Sequence, residues 1–127
     1  MSGYCAWNAG SAGMGRAAAE AVGLPYLPGA MTPSEVLFAI EKGYRSLKLF
    51  PANGSTSVKM LKSFKGPFTG IRFCPTGGVT PGNAAEFLSL PNVACVGGSW
   101  LVPADALAQC DWARIESLAR ATSQWVR

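Results

Sequence analysis

Four short apolar runs, separated by about two dozen residues each, constrain this chain more than any other feature. They occupy residues 25–28, 47–50, 71–74 and 93–96, and each is followed by Gly or Pro. Short apolar runs bounded by turn-forming residues are typical of buried strands. The spacing therefore predicts four strands, one in each copy of a repeating unit.

Helical patterns fill the intervals between these runs. Thr32 begins the clearest one: it caps the helix, the following proline suits the first helical position, and Glu35 completes a capping box. Thr80 repeats the Thr-Pro device, and Asp111 is a cap for the final helix. We therefore predict helices over residues 14–22, 33–42, 57–64, 81–88 and 112–126.

Alternation of strands and helices predicts the architecture. It is typical of parallel sheets covered on both faces, as in doubly wound folds and (β/α)8 barrels. A complete barrel needs about 250 residues, whereas this chain has 127. They hold four clear βα units and a degenerate preceding strand at residues 3–7. We predict an α/β fold, a partial (β/α)8 TIM barrel, with residues 1–127 forming a single domain.

The absence of histidine is the most informative feature of the composition. It excludes Ser-His-Asp triads, Cys-His dyads and most zinc-site designs at once. An apolar content of 49% with 14% charged residues indicates a globular core. Chemistry in this chain therefore rests on lysine, carboxylates, hydroxyls and backbone amides, and we expect no metal and no cofactor.

The charge and the cysteines indicate which class of ligand and which cellular compartment to expect. The net charge of +4 comes from eleven scattered Lys and Arg residues, which favours a small anionic ligand over nucleic acid. No segment approaches the roughly 20 apolar residues of a membrane span, so we expect a cytoplasmic protein. The four cysteines lack CxxC spacing and are expected to be reduced and mostly buried: Cys5, Cys74, Cys95 and Cys110.

Lys48 is the candidate nucleophile. It stands between Leu47 and Leu49 in a predicted strand that is covered on both faces, where a charged ammonium costs several kcal/mol of desolvation. Such burial lowers the pKa of a lysine from about 10.4 and exposes a neutral amine that can attack a carbonyl to form an imine. A strand-end lysine paired with a carboxylate explains the same position, and both interpretations stay open.

Two glycine pairs follow the third and fourth predicted strands. Gly77 and Gly78 stand between a strand end and a capped helix, and Gly97 and Gly98 precede Ser99. Adjacent Gly-rich βα loops whose N–H groups converge form a recurrent phosphate site at the top of barrels. Ordinary turn chemistry explains glycine equally well, because glycine is the default residue for positive φ.

Several stretches together carry a family resemblance. They are Leu-Pro-Tyr-Leu-Pro-Gly at 24–29, Thr-Pro-Ser-Glu at 32–35, Leu-Lys-Leu-Phe-Pro-Ala at 47–52, Arg-Phe-Cys-Pro-Thr-Gly-Gly-Val at 72–79 and Gly-Gly-Ser-Trp-Leu-Val-Pro at 97–103. The chain resembles the 2-keto-3-deoxy-6-phosphogluconate (KDPG) aldolase family, with its bifunctional 4-hydroxy-2-oxoglutarate (KHG) aldolase members. The match runs from about residue 23 to the C-terminus in family order.

The resemblance implies a class I aldolase that cleaves KDPG to pyruvate and glyceraldehyde 3-phosphate. Lys48 matches the family's Schiff-base lysine, and Phe50 and Thr76 match residues that line the substrate pocket. The substrate phosphate is bound in the family by residues that match Gly77, Gly78, Gly97, Gly98 and Ser99. The resemblance also implies a homo-oligomer, with the trimer as the family's usual assembly, and no metal or cofactor.

This sequence departs from the family pattern in three places. The family's first three strands, which carry the acid/base glutamate, have no counterpart, and Asn8-Ala9-Gly10 replaces a Ser-Pro-Gly. Asn53 stands where an acidic residue follows the lysine motif. Every glutamate of the chain falls in a predicted helix, away from strand ends. The alternative function is therefore a non-catalytic half-barrel that binds phosphorylated ligands or pairs with a second chain to cover its open sheet edges.

Overall fold

The computed structural model describes residues 12–125, with side chains from residue 17 onward. Helices alternate with two short strands, and a 3-10 helix follows the last Gly-rich loop. The elements are α1 (Ala12–Ala21), α2 (Pro33–Glu41), β1 (Ser46–Leu49), α3 (Gly54–Phe64), β2 (Arg72–Pro75), α4 (Ala84–Leu88), the 3-10 helix Ser99–Leu101, α5 (Ala104–Ala108) and α6 (Trp112–Ser123). No helix in this part of the chain is long and apolar enough to cross a bilayer. The degenerate strand predicted at residues 3–7, which includes Cys5, lies outside the described residues.

Strands β1 and β2 pair in parallel, with Lys48 opposite Cys74. Segment 28–30 flanks β1, because the Lys48 N–H donates to the Pro28 carbonyl at 2.8 Å and the Ala30 N–H donates to the Lys48 carbonyl at 2.9 Å. Segment 92–94 flanks β2 through equivalent bonds to both sides of Phe73, at 2.8 and 2.9 Å. Four neighbouring chain segments therefore run parallel in sequence order, which is the α/β arrangement that the alternation predicts.

The first and fourth predicted strands are shorter than expected. Residues 25–28 and 93–96 do not form ladders; single bridges at Gly29 and Val93 replace them. Proline lacks the N–H that a ladder bond needs, so Pro25 and Pro28 limit pairing in the first segment. Prediction of two full strands there is wrong, although the neighbours of β1 and β2 are the ones expected.

The predicted caps of α2 and α6 are confirmed. The Thr32 hydroxyl accepts from the Glu35 N–H at 3.3 Å, and Glu35 Oε2 accepts from the Thr32 N–H at 2.8 Å, which completes the capping box. Asp111 Oδ1 accepts from the Arg114 N–H at 3.1 Å. Each such cap satisfies N–H groups that a helix start otherwise leaves without partners, a contribution of about 1 kcal/mol.

Helix α4 begins three residues later than predicted. Asn83 explains the difference: its side chain accepts from the Thr80 N–H at 2.8 Å and donates to the Gly78 carbonyl at 3.1 Å. This closes a turn over residues 81–83, and the helix starts only at Ala84. Helix α3 begins at Gly54 instead of residue 57, while α5 and the 3-10 helix are elements that the sequence patterns did not predict.

The core lies on one face of the two strands. Leu47, Leu49 and Phe73 are at most 1% exposed and pack with Val36 and Leu61 from the helices. Burying each such side chain contributes about 1.5–3 kcal/mol. Both strands alternate between exposed or half-buried positions and buried ones. The expectation that β1 is covered on both faces is therefore wrong for this chain.

Candidate active site

Lys48 lies on the face of β1 opposite the core. Its neighbours Leu47 and Leu49 are fully buried, whereas Lys48 is half-buried because side chains alternate along a strand. Its Nζ lies 5.3 Å from the centroid of the Phe50 ring, within the range of a cation–π contact. The lysine thus faces the open side of the sheet with an aromatic ring beside it.

The chain after β1 is tied directly to the loop after β2. The Ala52 N–H donates to the carbonyls of Thr76 and Gly77, both at 2.8 Å, and the Thr76 N–H donates to the Leu49 carbonyl at 2.9 Å. The carboxyl ends of parallel strands meet at one edge of a sheet, which is where ligands bind in open α/β sheets. These bonds place Thr76 and the first glycine pair at the same edge as Lys48.

Close packing explains the first glycine pair. Gly77 has φ +72° and lies against the Phe50 ring, so that a Cβ at this position would overlap the ring. Gly78 has φ +115°, and a Cβ there would lie 2.5 Å from the Ala52 carbonyl oxygen. Both conformations strongly favour glycine. The turn geometry therefore requires glycine at both positions, as the turn interpretation predicts. The same geometry is compatible with ligand binding by their N–H groups.

The second glycine pair packs against Thr76 and Trp100. The Gly97 N–H donates to the Pro75 carbonyl at 3.0 Å, and a Cβ at Gly97 would lie 2.7 Å from Thr76 Cγ2. A Cβ at Gly98 would overlap the Trp100 ring. Ser99 is exposed at the start of the 3-10 helix. The two Gly-rich loops are thus in contact through Thr76.

Three glycine N–H groups at this edge have no protein acceptor among residues 12–125. They belong to Gly77, Gly78 and Gly98, whereas the N–H of Gly97 is already bonded. The Thr76 hydroxyl oxygen is enclosed and has no hydrogen-bond partner within the same part of the chain. Backbone N–H groups without an acceptor are the groups that an anionic ligand uses, whereas the enclosed Thr76 oxygen is not open to one in this structure.

The structure brings most of the predicted site residues into one connected group. Lys48 contacts Phe50, Phe50 contacts Gly77, and Thr76 contacts Gly97. Sequence reasoning missed Asn83, which bonds to Gly78 and Thr80 and fixes the loop between them. Its signal was available, because Asn directly before a helix is a common cap residue.

Fold and site together define a parallel α/β protein whose half-buried lysine faces glycine-lined loops at one edge of the sheet. Residues 11–118 match the family described as "Aldolase: KDPG and KHG aldolase". The chain belongs to this family, and the resemblance found in the sequence is confirmed.

Curated relatives agree with the family match. The 2-dehydro-3-deoxy-phosphogluconate aldolase of Pseudomonas aeruginosa is 50% identical over 97 residues, which cover 76% of this chain and 44% of the relative. The KHG/KDPG aldolase of Escherichia coli K12 is 48% identical over 97 residues, covering 76% of this chain and 46% of the relative. The chain therefore spans about half the length of the curated relatives that it matches.

Solved structures give the same result. The KDPG aldolase of Legionella pneumophila, with pyruvate captured as a covalent carbinolamine, has a TM-score of 0.71 at 43% identity and matches over 77% of this chain and 48% of its own. The Zymomonas mobilis ZM4 enzyme with 3-phosphoglycerate has a TM-score of 0.73 at 38% identity, over 86% and 51% of the two chains.

Proposed function

We propose that this chain carries the imine-forming lysine and the phosphate site of a class I aldolase that cleaves KDPG. The observation that carries the proposal is the position of Lys48: it lies in the family's motif, half-buried, beside Phe50 and at the glycine-lined edge of the sheet. The covalent carbinolamine in the Legionella pneumophila enzyme supports the same chemistry for the family.

The reaction begins when the neutral amine of Lys48 adds to the C2 ketone of KDPG. Loss of water from the carbinolamine gives an imine, and its protonated nitrogen accepts the electron pair of the C3–C4 bond when that bond breaks. The C4 hydroxyl loses its proton as glyceraldehyde 3-phosphate departs, which leaves a pyruvyl enamine on the lysine. Protonation at C3 and hydrolysis release pyruvate and restore the amine.

The substrate phosphate is proposed to bind at the two Gly-rich loops. The N–H groups of Gly77, Gly78 and Gly98 and the Ser99 hydroxyl supply the donors, and the Thr76 hydroxyl lies between these loops. Gly97 allows the close approach of the second loop to Thr76, while its own N–H bonds to Pro75. Phe50 packs over Gly77 and forms the wall between the phosphate and Lys48.

Imine trapping tests this proposal. Borohydride reduction in the presence of pyruvate is expected to leave a stable adduct on Lys48, because an imine on this half-buried amine beside Phe50 persists long enough to be reduced, whereas one on an exposed amine does not. Peptide mapping by mass spectrometry locates the adduct, and Lys48→Met abolishes it. Lys59→Met is the matched control, since Lys59 is exposed on α3. Equal labelling of Lys48, Lys59 and Lys62 would refute the assignment.

We propose that the fold is the C-terminal part of a (β/α)8 barrel and that copies associate, as in a cytoplasmic homo-oligomer. The face that carries Lys48 is open, and α2 exposes Leu37 by 53% and Phe38 by 50%. Open sheet edges and contiguous apolar surface recruit partners. We therefore expect light scattering of the 127-residue chain to give at least twice the monomer mass.

Charge introduced on α2 tests where the copies meet. Phe38→Lys places an ammonium in the apolar surface and is expected to lower the associated fraction at least tenfold at equal concentration. Ser34→Lys is the control, because it adds the same charge to an exposed polar position of the same helix. A compact monomer in the unmodified chain would contradict the association proposal without touching the lysine chemistry.

A second candidate function is a phosphorylated-ligand binder without turnover. It is favoured by one observation: each of the seven Asp and Glu side chains lies on a helix or at the start of one, and none lies on β1 or β2. The two candidates predict different rates of pyruvate release, and they share the imine and phosphate sites.

A further inference from the structure

Two cysteine thiols meet on the open face of the sheet. Cys74 lies in β2, half-buried and opposite Lys48, and Cys95 lies in the next chain segment, where it is exposed. The Cys74 thiol lies close enough to the Cys95 sulfur to stabilise its thiolate by hydrogen bonding. The expectation that the cysteines are mostly buried is wrong, because Cys95 and Cys110 are both exposed.

An additional residue in the fourth segment brings the two thiols together. The Ala94 N–H donates to the Phe73 carbonyl at 2.9 Å, and the Gly97 N–H donates to the Pro75 carbonyl at 3.0 Å. A regular parallel ladder would place residue 96, not Gly97, opposite the Pro75 carbonyl. The fourth segment therefore has one more residue than β2 between these two bonds, as in a β-bulge. A bulge changes the direction of the side chains near it. This insertion lets Cys95 face Cys74.

The environment of Cys95 favours its thiolate. The hydrogen bond from Cys74 is the main cause, and the positive charge of Arg72 adds to it, while partial burial opposes both; together they lower the pKa of the Cys95 thiol to about 6. Cys95 is therefore mostly ionised at neutral pH. A thiolate is the nucleophilic form of cysteine, and oxidants react with it selectively.

Small reagents have a path to this sulfur. Cys95 lines a cavity of about 260 Å3 between the fourth segment and α6. Its other walls include Val96, Trp100 and Trp125. A cavity of this size admits molecules much larger than water. Cys95 is thus open to small molecules, both as an exposed residue and as part of the wall of this cavity.

We propose that Cys74 and Cys95 form an oxidisable dithiol site that hydroperoxides convert to a disulfide. The Cys95 thiolate attacks the O–O bond of hydrogen peroxide and becomes a sulfenic acid, with hydroxide as the leaving group. The Cys74 sulfur then attacks the Cys95 sulfur, and the sulfenic oxygen leaves as water with the Cys74 proton. The balance is two thiols and one peroxide to one disulfide and two waters.

The strand geometry suits this bond. Neighbouring strands lie about 4.8 Å apart, and disulfides join Cα atoms separated by about 4.4–6.8 Å. The hydrogen bonds of Phe73 and Pro75, on either side of Cys74, therefore hold the two segments at a spacing that a disulfide can span. The proposal does not rest on the aldolase function, because both its reaction and its readout concern the two sulfurs alone.

Peptide mapping after mild oxidation tests the site. Cys5→Ser/Cys110→Ser leaves the pair as the only cysteines, and one equivalent of hydrogen peroxide is expected to give a linked peptide that contains Cys74 and Cys95. Dithiothreitol should separate the two halves and restore both thiols. Sulfinic acid on Cys95 with an unmodified Cys74, or disulfides only between chains, would overturn the proposal.

Alkylation kinetics supply a second readout that needs no core substitution. With a pKa of about 6, half of Cys95 is ionised at pH 6. A thiol of pKa about 8.5 in the unfolded chain is about 0.3% ionised at this pH. A thiolate of lower pKa is a weaker nucleophile, which reduces the rate advantage of folded Cys95 by roughly tenfold. We expect iodoacetamide to modify folded Cys95 about tenfold faster than the same residue in urea at pH 6. Cys74→Ala should remove most of this difference. Equal or slower reaction in the folded chain would overturn the proposal.

Discussion

Pyruvate release from KDPG by this 127-residue chain is expected to be about 100- to 10,000-fold slower than by a full-length relative, the usual contribution of general acid–base catalysis. The reason is the placement of its carboxylates. They lie on helices or at a helix start: Glu20, Glu35, Glu41, Glu86, Asp105, Asp111 and Glu116. Imine formation can proceed with water as the proton donor and acceptor, whereas fast cleavage and enamine protonation need a side chain next to the lysine that moves protons.

Two of these carboxylates are also held in the ionised form. Hydrogen bonds from the N–H groups of Met31 and Thr32 lower the pKa of Glu35, and a hydrogen bond from Arg114 lowers the pKa of Asp105. A general acid and base works best when its pKa lies near the operating pH. Both shifts go in the opposite direction. These two groups are therefore unsuited to the proton transfers.

The measurement is a coupled assay of pyruvate release, run beside borohydride trapping on the same sample. Trapping without comparable release separates imine formation from turnover, and Lys48→Met is the control that loses both. Release at the rate of the Pseudomonas aeruginosa aldolase would show that a residue assigned here to a helix performs the proton transfers. Absence of trapping as well as release would leave phosphate binding as the only function of the site.

The sequence predicted helix starts correctly where a single capping residue determines them. The Thr32 capping box placed the start of α2 correctly, and Asp111 placed the start of α6. These devices depend on side chains and N–H groups within one turn, so the sequence contains all that they need. Thr80 suggested a third such cap, but the Asn83 side chain bonds to its N–H instead and delays α4.

Burial of Lys48 could not be predicted from its own strand. Leu47 and Leu49 flank it in any β conformation, and a four-residue strand fits both a strand covered on two faces and one covered on one face. The answer depends on what covers the opposite face, which is a property of the whole sheet. The meeting of Cys74 with Cys95 was unpredictable for a similar reason, since it depends on an additional residue in the pairing of two segments.

The glycines at the site have two separable roles: they adopt a backbone conformation that a Cβ would strain, and their N–H groups are proposed to bind phosphate. Gly78→Ala is expected to impair both. Its φ of +115° strains any residue with a Cβ by about 1–3 kcal/mol, and the Cβ would lie 2.5 Å from the Ala52 carbonyl oxygen, a backbone atom that cannot move aside alone. We expect a loss of roughly 2–4 kcal/mol in the free energy of unfolding, a large part of the stability of a small domain.

Urea unfolding measures this loss, and Gly66→Ala is the matched control. A Cβ added to Gly66 would meet no heavy atom within 4 Å, and its φ is not positive, so its replacement is expected to change the free energy of unfolding by less than about 1 kcal/mol. A lower urea midpoint at unchanged slope for Gly78→Ala alone would confirm that the loop geometry requires glycine. Equal stability of the two variants would contradict the strain argument.

Phosphate binding reports on the second role of these glycines. In the unmodified chain, the amide signals of Gly77, Gly78 and Gly98 are expected to move together when inorganic phosphate is titrated, because their N–H groups have no acceptor within the described residues. The Gly97 amide should move less, since it donates to Pro75. Gly98→Ala tests binding where backbone strain is absent: its φ of −159° suits alanine, but the Cβ would displace the Trp100 ring. Phosphate affinity that falls in Gly98→Ala and persists in Gly66→Ala would assign the anion to these loops, whereas unmoved amides in the unmodified chain would exclude it.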